Sequence, residues 1–170
     1  MLSLSLLQPK NAVESDRIWN NYCISAQSHT GAILFCVMGG KMSEGINFSD
    51  SIARSVIVVG MPFPDARNPI LQEKLQNAEK IRPHSSKEVY EAMCMKVVNQ
   101  SIGRSIRHVN DYASIILMDK RYNDERIKNL LPSWILSSIN ENTSSFRIFK
   151  ENLTKFYDSK AVDNHTFSTS

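Results

Sequence analysis

The sequence predicts an α/β fold built on a parallel sheet, because short apolar runs recur between segments of helical spacing. Three runs carry that prediction: Ala32 to Met38, Ser55 to Met61 and Ala113 to Met118 are rich in Val, Ile and Leu and show little polar alternation. Strands buried on both faces of a parallel sheet read this way. Helical spacing fills the intervals, over Ala12 to Gln27, Asn68 to Lys80, and about Ser86 to His108.

In chain order, the apolar run Met1 to Leu7 comes first; it has no basic leader and no small-residue cleavage site, so it reads as a strand rather than a secretory signal. The stretch Gly39 to Asp50 follows the second strand as a loop. Met61 to Pro69 holds prolines at 62, 64 and 69, each lacking a donor and restraining the residue before it, which makes this a loop at a strand end. Ligands of open α/β sheets gather beyond the carboxyl ends of strands, so these two loops are where function is sought. Beyond Tyr122 a last helical region follows, with Trp134 and Ile135 as packing anchors, then a helix from about Ser145 to Tyr157. The polar stretch Asp158 to Ser170 reads as a disordered tail. The expected organisation is one domain over 1–140, a C-terminal helix over 141–157 and the tail over 158–170.

A chain of 170 residues, 42% apolar, can bury one core. Its formal charge of +3 permits a nucleic-acid partner without requiring one. Cys23, Cys36 and Cys94 are far apart and form no C-x-x-C pair, so they read as buried thiols in a reducing compartment. His29, His84, His108 and His165 are equally scattered, and no metal site is expected. No stretch approaches the roughly 20 apolar residues that cross a bilayer, so a soluble intracellular chain is expected.

Two segments carry chemistry. Gly39 to Asp50 packs three glycines, a lysine, hydroxyls and carboxylates behind a strand; such a loop lets backbone N–H groups approach a phosphate, or is a polar turn and nothing more. Gln100-Ser101-Ile102-Gly103-Arg104-Ser105-Ile106-Arg107 lies toward the end of the long helical segment. Helical spacing would put Gln100, Arg104 and Arg107 on one face, with Val97, Val98, Ile102 and Ile106 toward a core. Two guanidiniums suit a triphosphate, because they neutralise charge that builds on a transferring phosphoryl group.

Gly40 to Phe48 resembles motif V, and Gln100 to Arg107 resembles motif VI, of the XPD-like iron–sulfur DNA helicases. Val59-Gly60-Met61-Pro62-Phe63-Pro64, Leu71 to Lys74, Met95 to Gln100 and Leu117 to Tyr122 are most similar to the chromosome-loss branch, which acts in sister-chromatid cohesion. The resemblance runs from about Gln8 to Ile135.

It implies most of a second RecA-like motor domain, P-loop NTPase-like but without the P-loop and incomplete at its N-terminus. In such enzymes ATP lies between two motor domains. The resemblance implies that Arg104 and Arg107 contact the γ-phosphate with Gln100 beside them, that Glu44, Gly45 and Gly103 line the nucleotide site, and that Lys41 and Ser43 lie near the DNA backbone. ATP and Mg would be held mainly by the other motor domain, and the partners would be single-stranded or forked DNA and that domain, in the nucleus, with no membrane. A 4Fe–4S cluster is implied for the full-length family, but its ligands are not in these residues. Asn47 departs from the aspartate of many XPD-type relatives. Since no G-x-x-x-x-G-K-[ST] or D-E-A-H occurs here, this chain alone is not expected to hydrolyse ATP. A second reading stays open, a helicase-derived module that binds nucleic acid or protein without catalysis.

Overall fold

The computed structural model describes residues 3–6, 12–40, 48, 50–106, 108, 110–140 and 145–166. The chain divides into two units, Met1–Pro132 and Ser133–Ser170.

In the first unit, strand β1 (Ser3–Leu6) is followed by helix α1 (Ala12–Ala26) and strand β2 (Ala32–Phe35), and the two strands pair in parallel with Ser3 opposite Ala32 and Leu6 opposite Phe35. A 3-10 turn at Asp50–Ile52 leads into β3 (Ser55–Val59). Helices α2 (Pro69–Ile81) and α3 (Ser85–Ile102) then carry the chain across to β4 (Ser114–Met118), which pairs in parallel with β3 from Ser55–Ser114 to Val59–Met118. A 3-10 turn at Lys120–Asn123 and the short helix α4 (Glu125–Lys128) close the unit. Among the described residues both strand pairs are parallel, which is the α/β architecture that the apolar runs predict.

Buried Val58, Met61, Leu71, Met95, Val98, Ile102, Tyr122 and Ile127 form the core, with Ile18, Trp19, Leu34, Cys36 and Phe48 packed against it. The expectation of strands buried on both faces is corrected here. Val58 is 2% exposed, whereas its neighbours Ile57 and Val59 are 56% and 69% exposed. Ile33, Phe35 and Met118 are exposed as well. Successive strand residues point to opposite faces, and the core of this unit lies on one of them.

Local chemistry sets the helix ends. Asn68 caps α2, its side-chain oxygen accepting from the N–H groups of Ile70 and Leu71 at 2.9 and 3.2 Å, and Pro69 takes the first helical position, where a missing donor costs nothing. Between α2 and α3 the chain turns through His84 at φ 66°. The Glu79 carboxylate accepts from the N–H groups of His84 and Ser86 at 2.8 and 3.2 Å, and the Ser85 hydroxyl donates to the Ala78 carbonyl at 2.6 Å. These bonds serve donors at the start of α3 that have no partner within the helix.

The second unit holds α5 (Ser133–Leu136) and α6 (Phe146–Thr166). Ile135 is buried, but Trp134 is 42% exposed and so does not anchor as expected. Helix α6 begins where the spacing predicts and continues to Thr166, through residues expected to be a disordered tail. Asp158 to Thr166 contains no glycine or proline, so nothing in it breaks a helix already started. Among the described residues no helix is long and apolar enough to cross a membrane.

Candidate functional site

Helix α3 presents the second of the two segments. Val98 and Ile102, four residues apart, are fully buried and fix the helix rotation, which leaves Gln100 exposed on its last turn. The Asn99 side-chain N–H donates to the Leu130 carbonyl at 2.7 Å and ties this turn to the end of the unit.

The helix then stops at Ile102, earlier than the expected His108. Gly103 is its C-cap, its N–H bonded to the Asn99 carbonyl at 2.9 Å. Ser105 is fully buried, and its N–H and hydroxyl both donate to the Ile102 carbonyl, at 3.1 and 2.7 Å. Glycine is a weak helix former and a serine hydroxyl competes for the carbonyls that a further turn would need, so the chain leaves the helix here. Arg104 therefore sits half-buried just past the cap, not on the helix face that i, i+3 spacing implied. Arg107, the other expected phosphate-contacting arginine, lies outside the described residues. The C-terminal end of a helix carries partial negative charge, so an anion bound here would depend on the guanidinium groups and not on the helix dipole.

Lys41, Ser43, Glu44, Gly45 and Asn47 also lie outside the described residues, but both flanks of their segment are described. On the entry side, Gly39 has φ 75° and the Gly40 N–H donates to the Val37 carbonyl at 3.0 Å, closing a turn. A Cβ at Gly39 would meet Val97 Cγ1 at 3.6 Å, so this turn lies against α3 three residues before Gln100. On the exit side, the Phe48 ring stands edge-on to Trp19 and Tyr22 of α1, at 5.4 and 6.4 Å between centroids. Trp19 is thus a packing residue, as expected. The first glycine-rich turn accordingly lies against the helix that leads into the arginine segment.

The proline loop is well tied down. Phe63 stacks on Tyr90 at 5.0 Å, the Arg121 guanidinium lies 5.3 Å from the Phe63 ring, and the Tyr90 hydroxyl donates to the Pro64 carbonyl at 2.8 Å. Asp119 accepts from the Arg121 guanidinium at 2.9 and 2.7 Å and from its backbone N–H at 2.9 Å; these bonds hold its carboxyl down at about 2. Asp119, Lys120 and Arg121 thus form a charged turn after β4.

Arg54, Asp111 and Tyr112, which the sequence reading passed over, meet at the far end of the arginine segment. The available signal is positional: Arg54 directly precedes β3, Asp111 and Tyr112 lie three and two residues before β4, and β3 and β4 pair from their first residues.

The cysteines do not fit an iron–sulfur cluster. There are three, and Cys94 is fully buried with its thiol pushed up by burial to about 11, which disfavours the thiolate that a cluster requires. Among the described residues no group of three His, Cys, Asp or Glu side chains could hold a metal ion.

Residues 2–138 match the model of the helicase C-terminal domain. Similar curated proteins include the ATP-dependent DNA helicase DDX11 of Danio rerio, 48% identical over 143 residues, which are 77% of this chain and 16% of that protein. The ATP-dependent DNA helicase CHL1 of Meyerozyma guilliermondii is 41% identical over 166 residues, 92% of this chain and 20% of that protein. The ATP-dependent DNA helicase chl-1 of Caenorhabditis elegans is 45% identical over 118 residues, 69% of this chain and 14% of that protein. The chain thus spans a fifth or less of the length of these relatives. Among solved structures, one described as XPD_APO matches with a TM-score of 0.58 at 23% identity, over 75% of this chain and 26% of that one. That likeness agrees with a RecA-like fold.

Proposed function

The chain belongs to the helicase C-terminal domain family, and on that premise we propose that it is the second motor-domain portion of an ATP-dependent DNA helicase. ATP binding and hydrolysis would close two motor domains on each other and move single-stranded or forked DNA along a groove between them. Arg104 and Arg107 would meet the γ-phosphate, with Gln100 beside them and Glu44, Gly45 and Gly103 lining the nucleotide site. Lys41 and Ser43 would face the DNA backbone. Sister-chromatid cohesion and genome maintenance in the nucleus are the setting that the chromosome-loss resemblance favours.

One observation carries this reading: Arg104 leaves a buried-stripe helix at a fixed cap, and the glycine turn that opens the other motif lies against the same helix at Val97. Arginine that emerges from a rigid support loses little freedom when it meets a phosphoryl group, which is what charge stabilisation in the transition state requires.

No phosphate loop occurs in these 170 residues, so the test supplies one. DNA-stimulated ATP hydrolysis is measured for an assembly in which this chain is joined to a motor domain that carries the phosphate loop. Arg104→Ala should lower kcat by about a thousand-fold, the scale of an arginine finger, with DNA affinity unchanged. Lys41→Ala should instead weaken DNA binding and flatten its salt dependence. Full hydrolysis by the Arg104→Ala assembly would remove the proposal.

A further inference from the structure

We infer that Arg54 and Asp111 are positioning residues, a latch that fixes the far end of the arginine-bearing segment to the start of β3. This deepens the helicase reading and rests on it.

The segment leaves α3 at Gly103 and enters β4 at Ser114. Its near end is held by the fully buried Ser105, bonded back to the Ile102 carbonyl. Its far end is held by charge. The Asp111 side chain is 1% exposed and its carboxylate accepts from Arg54 Nη1 at 2.8 Å and from the Tyr112 N–H at 2.9 Å. The same Arg54 Nη1 donates to the Tyr112 carbonyl at 2.9 Å, and the guanidinium lies 4.1 Å from the centre of the Tyr112 ring. Arg54 is itself fixed to the sheet, because its carbonyl accepts from the Ser114 N–H at 2.9 Å. A bond from the Asp111 N–H to the His108 carbonyl at 3.0 Å carries the restraint one turn back toward the arginines.

An ion pair is a poor choice for stability alone, since apolar residues of similar volume often stabilise a buried site as well or better. What it adds is direction. A planar guanidinium that meets a carboxylate, a carbonyl and a ring face can satisfy all three in only a narrow range of orientations. Ser105 on one side and Asp111 on the other are therefore both held, and Arg104, next to Ser105, leaves the helix from a fixed point. Position matters for phosphoryl transfer, where a displacement of about 1 Å can cost about a hundred-fold in rate.

The test uses Arg54→Lys, which keeps the charge and loses the fork and the ring contact, and Asp111→Asn, which keeps the shape and loses the charge. Hydrogen exchange is followed by mass spectrometry on the 170-residue chain. Amides between Gly103 and Tyr112 should exchange about ten-fold faster in both variants, with the amides of β3 and β4 changing much less. In the assembly that carries a phosphate loop, kcat should fall by about a hundred-fold while the KM for ATP stays within about two-fold. A rise in exchange shared equally by β3 and β4 would reduce the pair to a stabiliser and overturn the inference, as would no change at all in exchange or in kcat. If Arg104→Ala leaves hydrolysis intact, the helicase reading fails first and the positioning role fails with it, a pattern distinct from a latch that does nothing.

Discussion

The Tyr122 hydroxyl donates to the Gly60 carbonyl at 3.0 Å, so the turn that follows β4 holds the residue that follows β3. The Gly60 N–H donates to the Met118 carbonyl at 3.1 Å, which extends the strand pairing by one step before the chain departs at φ 76°. Both polar groups of Gly60 are thus satisfied across the strand pair, and the proline loop begins from a fixed point.

Tyr122→Phe isolates one of these bonds. The ring keeps its buried place and the Gly60 carbonyl loses its donor, which should cost about 1 kcal/mol and lower the melting temperature of the chain by about 2–4 °C in calorimetry. Burial pushes the Tyr122 hydroxyl up to about 12 from an ordinary 10. The folded chain holds that proton more tightly than the unfolded one, so the stabilisation is complete below pH 10 and is lost as pH rises toward 12. The variant should show a smaller loss of stability over that window.

Gly60→Ala tests the backbone rather than the bond. An added Cβ would find nothing within 4 Å, so any cost is that of holding alanine at φ 76°, about 1–2 kcal/mol by chemical denaturation. Asparagine tolerates this region better, and Gly60→Asn should cost visibly less. Equal losses for the two variants would mean that the side chain meets an obstacle and that φ is not the cause.

How much of this was legible in the sequence follows from what each signal measures. Apolar runs located the four strands among the described residues, because burial of even one face leaves Val, Ile and Leu concentrated; they could not tell one covered face from two, and Ile57 and Val59 are exposed. Helical spacing found α3 but overran its end by several residues, since periodicity does not register a Ser105 hydroxyl turned back on the Ile102 carbonyl. Gln100 and Arg104 could be singled out by residue type and spacing, and Gly103 only through the family resemblance. The Arg54–Asp111 pair could not, because 57 residues separate the partners and only the parallel pairing of β3 and β4 brings them together.

Cys94 offers a check on the core. It is fully buried on the core side of α3, and its thiol, pushed up to about 11, is both hidden and protonated at neutral pH. A disulfide reagent at pH 8 should modify the half-buried Cys23 and Cys36 first and reach Cys94 only on addition of denaturant, with sites read by peptide mass. Cys94→Ser should cost about 1–3 kcal/mol, the scale for burying a hydroxyl in place of a thiol among apolar residues.

The hinge between α2 and α3 should fail in acid. Hydrogen bonds from Ser86, through its side chain, and from the His84 and Ser86 backbone hold the Glu79 carboxyl at about 2, down from 4.5. A carboxylate that binds its proton less tightly in the folded state contributes stability above its unfolded pKa and loses it as pH falls through the folded one. That contribution is present above about pH 4.5 and disappears toward pH 2. His84 is a non-glycine residue at positive φ, and its N–H is among the donors that Glu79 satisfies, so protonation releases the turn where the backbone is least favourable. Glu79→Gln keeps an acceptor oxygen and removes the titration. By circular dichroism against pH, the native chain should lose helix between pH 4.5 and 2, and the variant should start less stable but lose less across that window. Identical acid profiles would shift the cause to Asp119, whose carboxyl is held at about 2 by Arg121 and whose loss would loosen the turn after β4 instead.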